Sequence, residues 1–199
     1  MAATAAMSHT ERKGLTHRLT ALADHPAGVL LLVVLALLEA TVFPGPTEAM
    51  LIALTLGRRE RVLWFAAVAT VASVVGGVIG YYLGATLFAD LVQPLLTSYG
   101  LTRYTDAVAR VYAGDPLLAL GTSGYTPIPY MLYTAMAGAA GLSLPEFVLG
   151  SFIGRALKYA PIAALAYLLG PRVHWALRRY GPVAAAVIVA LLVLYFFAS

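Results

Sequence analysis

The chain has 199 residues, of which 61% are hydrophobic and only 11% are charged. A soluble domain carries about a quarter charged residues, so this composition cannot cover a water-exposed surface of normal polarity, whereas it suits a surface that faces lipid. The absence of cysteine excludes disulfides and thiol catalysis. The net charge of +4 comes from Arg clusters between apolar runs, not from the continuous basic face that nucleic-acid binding requires.

Residues 1–27 form a polar, Ala/Thr-rich segment without the apolar core and small-residue cleavage site of a signal peptide. Residues 28–199 are predicted to form a single membrane domain that contains five apolar stretches. A helix needs about 20 apolar residues to cross a bilayer. By that criterion we predict spanning helices over residues 62–89, 144–170 and 182–198.

The first apolar stretch, residues 28–57, is interrupted by Phe43-Pro44-Gly45-Pro46. Each proline removes a backbone donor and disfavours helix in the residue before it, so a Pro-x-Pro pair ends the helix. The arm that follows, Thr47–Gly57, is about 16 Å long at about 1.5 Å per residue, too short to cross alone. Residues 117–141 are broken in the same way at Thr126-Pro127-Ile128-Pro129. We therefore predict two re-entrant hairpins, each entering and leaving the bilayer on one side.

The distribution of positive charge tests this arrangement. With two hairpins, nine Lys and Arg residues share one side and two lie on the other; with two fully spanning stretches the division is eight against three. The tendency of Lys and Arg to stay in the cytoplasm favours the hairpins. It also predicts a cytoplasmic N-terminus and an external C-terminus.

The two broken stretches resemble each other. Pro44-x-Pro46 recurs 83 residues later as Pro127-x-Pro129, and a short apolar arm and a long apolar helix follow each pair. Because the two hairpins enter from opposite sides, this pattern predicts an inverted repeat, which in transporters places the substrate site near the middle of the bilayer. Chance recurrence of Pro in apolar helices is the alternative.

The connector, residues 90–116, carries apolar residues at helical spacing, including Leu101, Tyr104, Val108 and Tyr112. A helix on the membrane surface and an ordinary solvated loop both fit this pattern.

Two acidic residues lie in the first hairpin. Glu39 follows ten apolar residues, and a charged carboxylate at membrane depth costs a few kcal/mol or more unless it is paired, protonated or hydrated. We predict that it takes part in transport or proton coupling; anchoring the hairpin at the interface is the alternative. Glu48 follows the break, where it either complements the exposed donors at the start of the next helix or also takes part in transport.

Two basic residues lie in the stretch 144–170. Arg155 and Lys158 are three residues apart and therefore share one helical face. We predict that Arg155 holds a lipid phosphate, for which its planar fork is suited, or pairs with Glu39. Reaching out to the interface is the alternative for both cations.

Glycines form a line along the predicted helix 62–89. Gly76, Gly80 and Gly84 are four residues apart, which allows another helix to approach closely, either within the chain or in a homo-oligomer.

A catalytic function finds little support in the sequence. Gly121-Thr122-Ser123-Gly124 is similar to the serine motif of intramembrane proteases, but all four histidines lie in polar regions, so the base is missing. We predict no enzyme, metal site or cofactor.

Several motifs in a fixed order carry a resemblance to a known family. They are, in chain order, Glu39-x4-Pro44-Gly45-Pro46-x-Glu48, Gly80-Tyr81-Tyr82-Leu83-Gly84, Tyr125-Thr126-Pro127-Ile128-Pro129-Tyr130 with Ala137-Gly138, and Phe147 with Ser151-Phe152-Ile153-Gly154-Arg155. Together they resemble the DedA family, the bacterial branch of the superfamily that includes the SNARE-associated Golgi (VTT) proteins. The resemblance covers about residues 30–175 and rests on the order and spacing of the motifs.

The resemblance implies a multi-pass protein of the bacterial cytoplasmic (inner) membrane, with two opposed re-entrant hairpins plus spanning helices. It also implies flippase- or scramblase-type transport of a phospholipid or of the polyprenyl-phosphate carrier, with proton or sodium coupling. The acidic positions of the family's first hairpin correspond to Glu39 and Glu48. Many members carry Arg-Phe-x-Pro-x-x-Arg in the second hairpin, whereas this chain has Gly124-Tyr125-Thr126-Pro127-Ile128-Pro129-Tyr130 and resembles a Thr-Pro-Ile-Pro sub-branch. Arg155 and Lys158 would substitute for the absent arginines.

We therefore predict an all-α integral membrane protein that moves a lipid headgroup between its hairpin tips. Two other classes remain as alternatives. A small-solute or ion transporter would have a narrow polar cavity, whereas a lipid pathway would open sideways to the bilayer. A non-transporting membrane assembly factor would depend on the glycine line and not on the carboxylates.

Overall fold

A computed structural model of the chain describes residues 20–43, 45–126 and 128–170. Every regular element in these ranges is helical, which confirms the all-α prediction. The helices are α1 (Pro26–Thr41), α2 (Thr47–Gly57), α3 (Val62–Leu87), α4 (Gln93–Ser98), α5 (Thr105–Gly114), α6 (Pro116–Thr122), α7 (Tyr130–Ala139) and α8 (Leu144–Gly170).

Two helical segments are long and apolar enough to cross a membrane. The first, Arg59–Ser98, joins α3 to α4 through a π-helical turn at Phe88–Val92 and has 40 residues. The second is α8, with 27 residues. They correspond to the spans predicted over 62–89 and 144–170. The third predicted span, 182–198, lies outside the described residues, as do Pro44 and Pro127.

The connector is mostly helical. After α4, a 3₁₀ turn leads into α5, whose Val108 and Tyr112 are buried while its polar side faces outwards. The Tyr112 hydroxyl donates a hydrogen bond of 2.7 Å to the carbonyl of Tyr133 on α7. The apolar pattern therefore belongs to a helix, α5, which a buried contact attaches to the rest of the protein; its position on a membrane surface stays a prediction.

The chain turns back at the first break. The far ends of its two arms meet, because Thr20 Oγ1 donates to the Gly57 carbonyl at 3.3 Å and the Arg58 guanidinium binds the Asp24 carboxylate through two nitrogens at 2.7 and 2.5 Å. The hydrogen bonds from Arg58 hold the pKa of the Asp24 carboxyl below its ordinary value. The arms α1 and α2 thus start and finish at the same end of the molecule.

The chain also turns back at the second break. Helix α6 runs parallel to α8, since Gly150 contacts Leu117 and Leu120, and Gly124 contacts Lys158. After the break the direction is reversed, because Tyr130 at the start of α7 lies beside Arg155, deep in α8, while the end of α7 leads directly into the start of α8.

The two turns approach each other from opposite ends of the molecule. Helices α3 and α8 run antiparallel: Tyr81 stacks near Phe147, with ring centroids 5.2 Å apart, and Arg59 lies against Gly170. The open end of the first turn-back is at Arg58, next to the Arg59–Gly170 end. The open end of the second is at the beginning of α8. Both tips therefore lie near the middle of α8.

Close backbone contacts hold α3 in place. A Cβ built at Gly84 would lie 1.9 Å from the carbonyl oxygen of Ala135, and one built at Gly138 of α7 would lie 1.9 Å from that of Tyr81. Gly76 and Gly80 make similar approaches to α1, at Leu37 and Ala40. The predicted glycine line is therefore used for packing within the chain, and a homo-oligomer through it stays a prediction.

Candidate functional site

A cavity of about 190 Å³ lies where the two tips meet α8. Each tip supplies part of its wall because the chain is not helical there: α1 ends at Thr41, ahead of the first pair of prolines, and α7 begins at Tyr130, directly after the second pair. The residues that line it include Glu39, Gly45, Thr126, Tyr130, Arg155 and Lys158. The cavity therefore joins the first tip, the second tip and the middle of a membrane-length helix.

Glu39 is buried in the last turn of α1, with 7% of its surface exposed. Its Oε1 accepts a hydrogen bond from Lys158 Nζ at 3.0 Å and lies 3.4 Å from Arg155 Nη1. Its Oε2 is buried and has no hydrogen-bond partner among the described residues. From the sequence, a carboxylate within an apolar segment was expected to be paired, protonated or hydrated. In the structure the Glu39 carboxylate is paired and lines a cavity.

Lys158 is shared between the acidic residues on the two sides of the first break, Glu39 and Glu48. Its ammonium also pairs with Glu48 Oε1, in the first turn of α2, where no side chain caps the helix. Glu48 is more exposed than Glu39, at 32% against 9% for the side chains. The two carboxylates are thus linked through one ammonium group, and this arrangement fits the transport alternative for Glu48 as well as the capping one.

Arg155 is almost fully buried, at 1% exposure, and does not extend to an interface. Its Cζ lies 3.4 Å from the centre of the Tyr130 ring and 5.9 Å from that of Tyr159. Stacking on an aromatic face suits the planar guanidinium and fixes its orientation. Within the described residues its Nε has no hydrogen-bond partner, and neither do the nearby hydroxyls of Tyr130, Ser151 and Tyr159.

The four charged side chains neutralise one another. Glu39 and Glu48 contribute two negative charges, and Arg155 and Lys158 two positive ones. Buried charges of this kind are stable only when paired, because each ion loses several kcal/mol of hydration. The cluster as a whole is therefore balanced in charge.

Two contributors were missed by the sequence reasoning. Tyr130 lies under Arg155, although only its position directly after the prolines marks it as special. Gly124 lies so close to α8 that a Cβ there would be 2.9 Å from the Cβ of Lys158. Small residues in a predicted hairpin tip are a signal for such a contact, but the partner cannot be read from spacing.

The remaining predicted residues are placed around the site. Pro46 and Pro129 precede α2 and α7 directly, and Pro129 lines the cavity. In the part of the chain that the structure describes, no group of three His, Cys, Asp or Glu side chains could hold a metal ion.

Comparisons with known proteins show to which family the chain belongs. The VTT domain family matches residues 43–168, a range that includes both breaks, Glu48, Arg155 and Lys158, with Glu39 four residues before it. An uncharacterized protein of Haemophilus influenzae is 28% identical over 173 residues, which is 87% of this chain and 90% of the relative. A protein of Histophilus somni named as an uncharacterized HI0703 homolog is 28% identical over 157 residues, 79% of this chain and 82% of the relative. No solved structure matches significantly. Since the family match spans well over half of its length, the chain belongs to the VTT domain family, the domain of the DedA and SNARE-associated proteins.

Proposed function

We propose that this protein is a lipid translocase of the bacterial cytoplasmic membrane, which moves a phosphate-bearing headgroup past the two hairpin tips. The observation that carries the proposal is the buried, charge-neutral cluster of Glu39, Glu48, Arg155 and Lys158 beside a cavity between the tips. Ionisable side chains in membrane-spanning segments usually mark a substrate or ion pathway.

In this proposal α3 and α8 cross the bilayer, and the two broken segments are re-entrant hairpins that form an inverted repeat. The outward side chains of the long helices support this placement: Leu63, Trp64 and Leu168 are 80%, 60% and 70% exposed. Contiguous apolar surface of this kind requires a non-aqueous environment. The N-terminus would be cytoplasmic and the C-terminus external, as the distribution of Lys and Arg favours.

The chemistry of the cavity favours an anionic headgroup. Arg155 and Lys158 supply the cations, and Thr126 and Tyr130 line the same cavity. Arginine binds phosphate through two parallel hydrogen bonds, and its stacking on Tyr130 already orients it. The second tip of this chain carries no arginine, so α8 would provide the positive charge. Glu39 and Glu48 would couple transport to a proton or a sodium ion.

A carrier for a small anion is the second candidate. The cavity, about 190 Å³, is smaller than the roughly 300–1,000 Å³ of ordinary ligand pockets. It would hold a phosphate group but not a whole lipid. A lipid substrate would therefore leave its chains outside, in the bilayer, while only the headgroup entered.

The test is a flipping assay in proteoliposomes with a fluorescent phosphatidylglycerol, comparing wild type with Glu39→Gln and Arg155→Ala. We expect each variant to lose at least tenfold in rate. Matched controls are Glu146→Gln, whose carboxylate accepts from Ser143 at the start of α8, and Arg103→Ala, whose guanidinium stacks on Tyr104 outside the site. Wild-type rates in both site variants would remove the proposed site. Wild-type protein that flips no faster than protein-free liposomes would favour the assembly-factor alternative.

A further inference from the structure

The neutrality of the charged cluster has a consequence for ligand binding. Both cations of the cavity already have carboxylate partners, and the Arg155 and Lys158 side chains are only 1% and 17% exposed. An anion that simply added to the cluster would leave one or two negative charges uncompensated in a buried site. That imbalance costs several kcal/mol in a poorly hydrated environment. Binding of an anion therefore requires that a negative charge be removed from the cluster.

We propose that a phosphate ester binds by exchange: it replaces Glu39 as the partner of Arg155 and Lys158, and Glu39 takes up one proton from the solvent. The inference rests on the proposed function, because it concerns the same cavity. The charges balance, since a phosphodiester brings one negative charge and one carboxylate becomes a neutral carboxylic acid. The number of protons taken up then equals the charge of the ligand.

The geometry indicates that Glu39 is the group exchanged. A single oxygen of Glu39 contacts both cations, while its other oxygen is buried without a partner in the described residues. Protonation would give that second oxygen a hydrogen to donate, for example to the bound ester. Glu48 contacts only Lys158 and is about one-third exposed, so it can remain ionised and keep Lys158 in place.

Among the described residues, the charged and titratable groups near Glu39 come from three helices. Helix α8 faces it with Arg155, Lys158 and Tyr159, α7 contributes Tyr130 on the far side of Arg155, and α2 contributes Glu48 through Lys158. Helix α3 has no charged residue from 62 to 87. Arg155 is held against Tyr130, so its carboxylate partner moves more readily than the guanidinium does.

Ligands of different charge should differ in the number of protons that the protein takes up on binding. Binding of a phosphodiester headgroup should be accompanied by uptake of about one proton. A phosphomonoester, whose second ionisation lies near pH 6, should bring nearly two at pH 8, the second going to Glu48. For one linked proton, the apparent Kd should rise about tenfold per pH unit wherever Glu39 of the free protein is ionised. The substrate class can thus be assigned by counting protons.

The experiment is calorimetric titration of the full chain in a neutral detergent, in two buffers of different ionisation enthalpy. The probes are dihexanoyl phosphatidylglycerol, decyl phosphate and inorganic phosphate. Uptake of about one proton with the first and nearly two with the second is expected. Binding without proton uptake would overturn the exchange but leave lipid transport standing. A preference for inorganic phosphate would support exchange and assign the site to a free anion. No binding of any probe would overturn both this inference and the proposed phosphate site.

A variant adds an independent readout. In Glu39→Gln the negative charge is already absent, so binding of phosphatidylglycerol should no longer depend on pH between 6 and 9, and the ligand should raise the melting temperature more than it does in wild type. Glu146→Gln is the matched control and should keep the wild-type pH dependence. If Glu39→Gln does not fold, the proton count on wild type decides the question alone. A wild-type pH slope in folded Glu39→Gln would refute the assignment to Glu39.

Discussion

The contact between α3 and α7 allows a quantitative prediction about stability. A Cβ at Gly84 would lie 1.9 Å from the carbonyl oxygen of Ala135, about 1.5 Å short of the 3.4 Å at which ordinary van der Waals contact begins. The obstacle is backbone, which cannot rotate away as a side chain can, so Gly84→Ala must push two helices apart. Overpacking of this kind costs typically 1–3 kcal/mol, and here we expect about 3 kcal/mol because membrane helices depend on close approach.

The chain offers a matched control at Gly121. A Cβ there meets nothing within 4 Å, and the residue lies inside α6. Gly121→Ala should therefore stabilise the protein by up to about 1 kcal/mol, the usual gain for Ala over Gly in a helix. The two variants add the same methyl group, so the difference in their stabilities isolates the helix contact.

The assay is thermal unfolding in detergent, followed by intrinsic fluorescence and by loss of the monodisperse peak in gel filtration. For a chain of this size about 1 kcal/mol corresponds to about 2–4 °C, so Gly84→Ala should melt roughly 6–12 °C lower than wild type. A Gly84→Ala protein as stable as wild type, or a Gly121→Ala protein destabilised to the same degree, would refute the reasoning.

Three further changes can be checked with the same material. Tyr112→Phe removes a buried hydrogen bond to a carbonyl of α7 and should cost about 1–3 kcal/mol, measured by denaturant titration. Asp24→Asn should lower stability at pH 7, because the hydrogen bond from Arg58 lowers the pKa of the carboxyl and its contribution is fully present above about pH 4. The difference in melting temperature between variant and wild type should shrink as the pH falls below about 4 and through the lowered pKa, and a difference that stays constant on acidification would contradict this. Gly124→Ala would place a Cβ 2.9 Å from that of Lys158, and it should lower flipping rates severalfold while leaving the melting temperature within a few degrees.

The positions of the two long apolar helices were the part of the fold that the sequence predicted best. A run of more than 20 apolar residues admits few structures other than a membrane-length helix, so the predictions over 62–89 and 144–170 lie close to the observed bounds. The helical stretch nevertheless continues to Ser98, past Asp90. The reason is that Pro94 stands in the first turn of α4, after a π-helical turn, where its missing backbone donor does no harm.

The composition of the site was only partly predictable. An acid and a base embedded in apolar segments must find partners, which made the pairing of Glu39 with Arg155 a reasonable hypothesis, and the structure places them 3.4 Å apart. The contact between Lys158 and Glu39 joins residues 119 apart in sequence. Helical periodicity cannot specify which helix faces meet over such a separation. That depends on how far each tip extends towards the middle of α8. The functional roles of these residues stay predictions.

The contacts of the glycines divide the helices into two interlocked sets. Helix α3 touches α1 and α7 backbone to backbone, and α8 touches α6 in the same way at Gly154, where a Cβ would lie 2.2 Å from the carbonyl oxygen of Leu120. Between the sets, the glycine contacts of the described residues reach only side chains. The ion pairs of Glu39 with Arg155 and Lys158 cross this seam. Both buried apolar clusters also cross it, through Phe147 in one and through Tyr159 and Ala163 in the other. The two sets are therefore joined by side chains alone, and the charge on the Glu39 carboxylate is one of the contacts that keep them together.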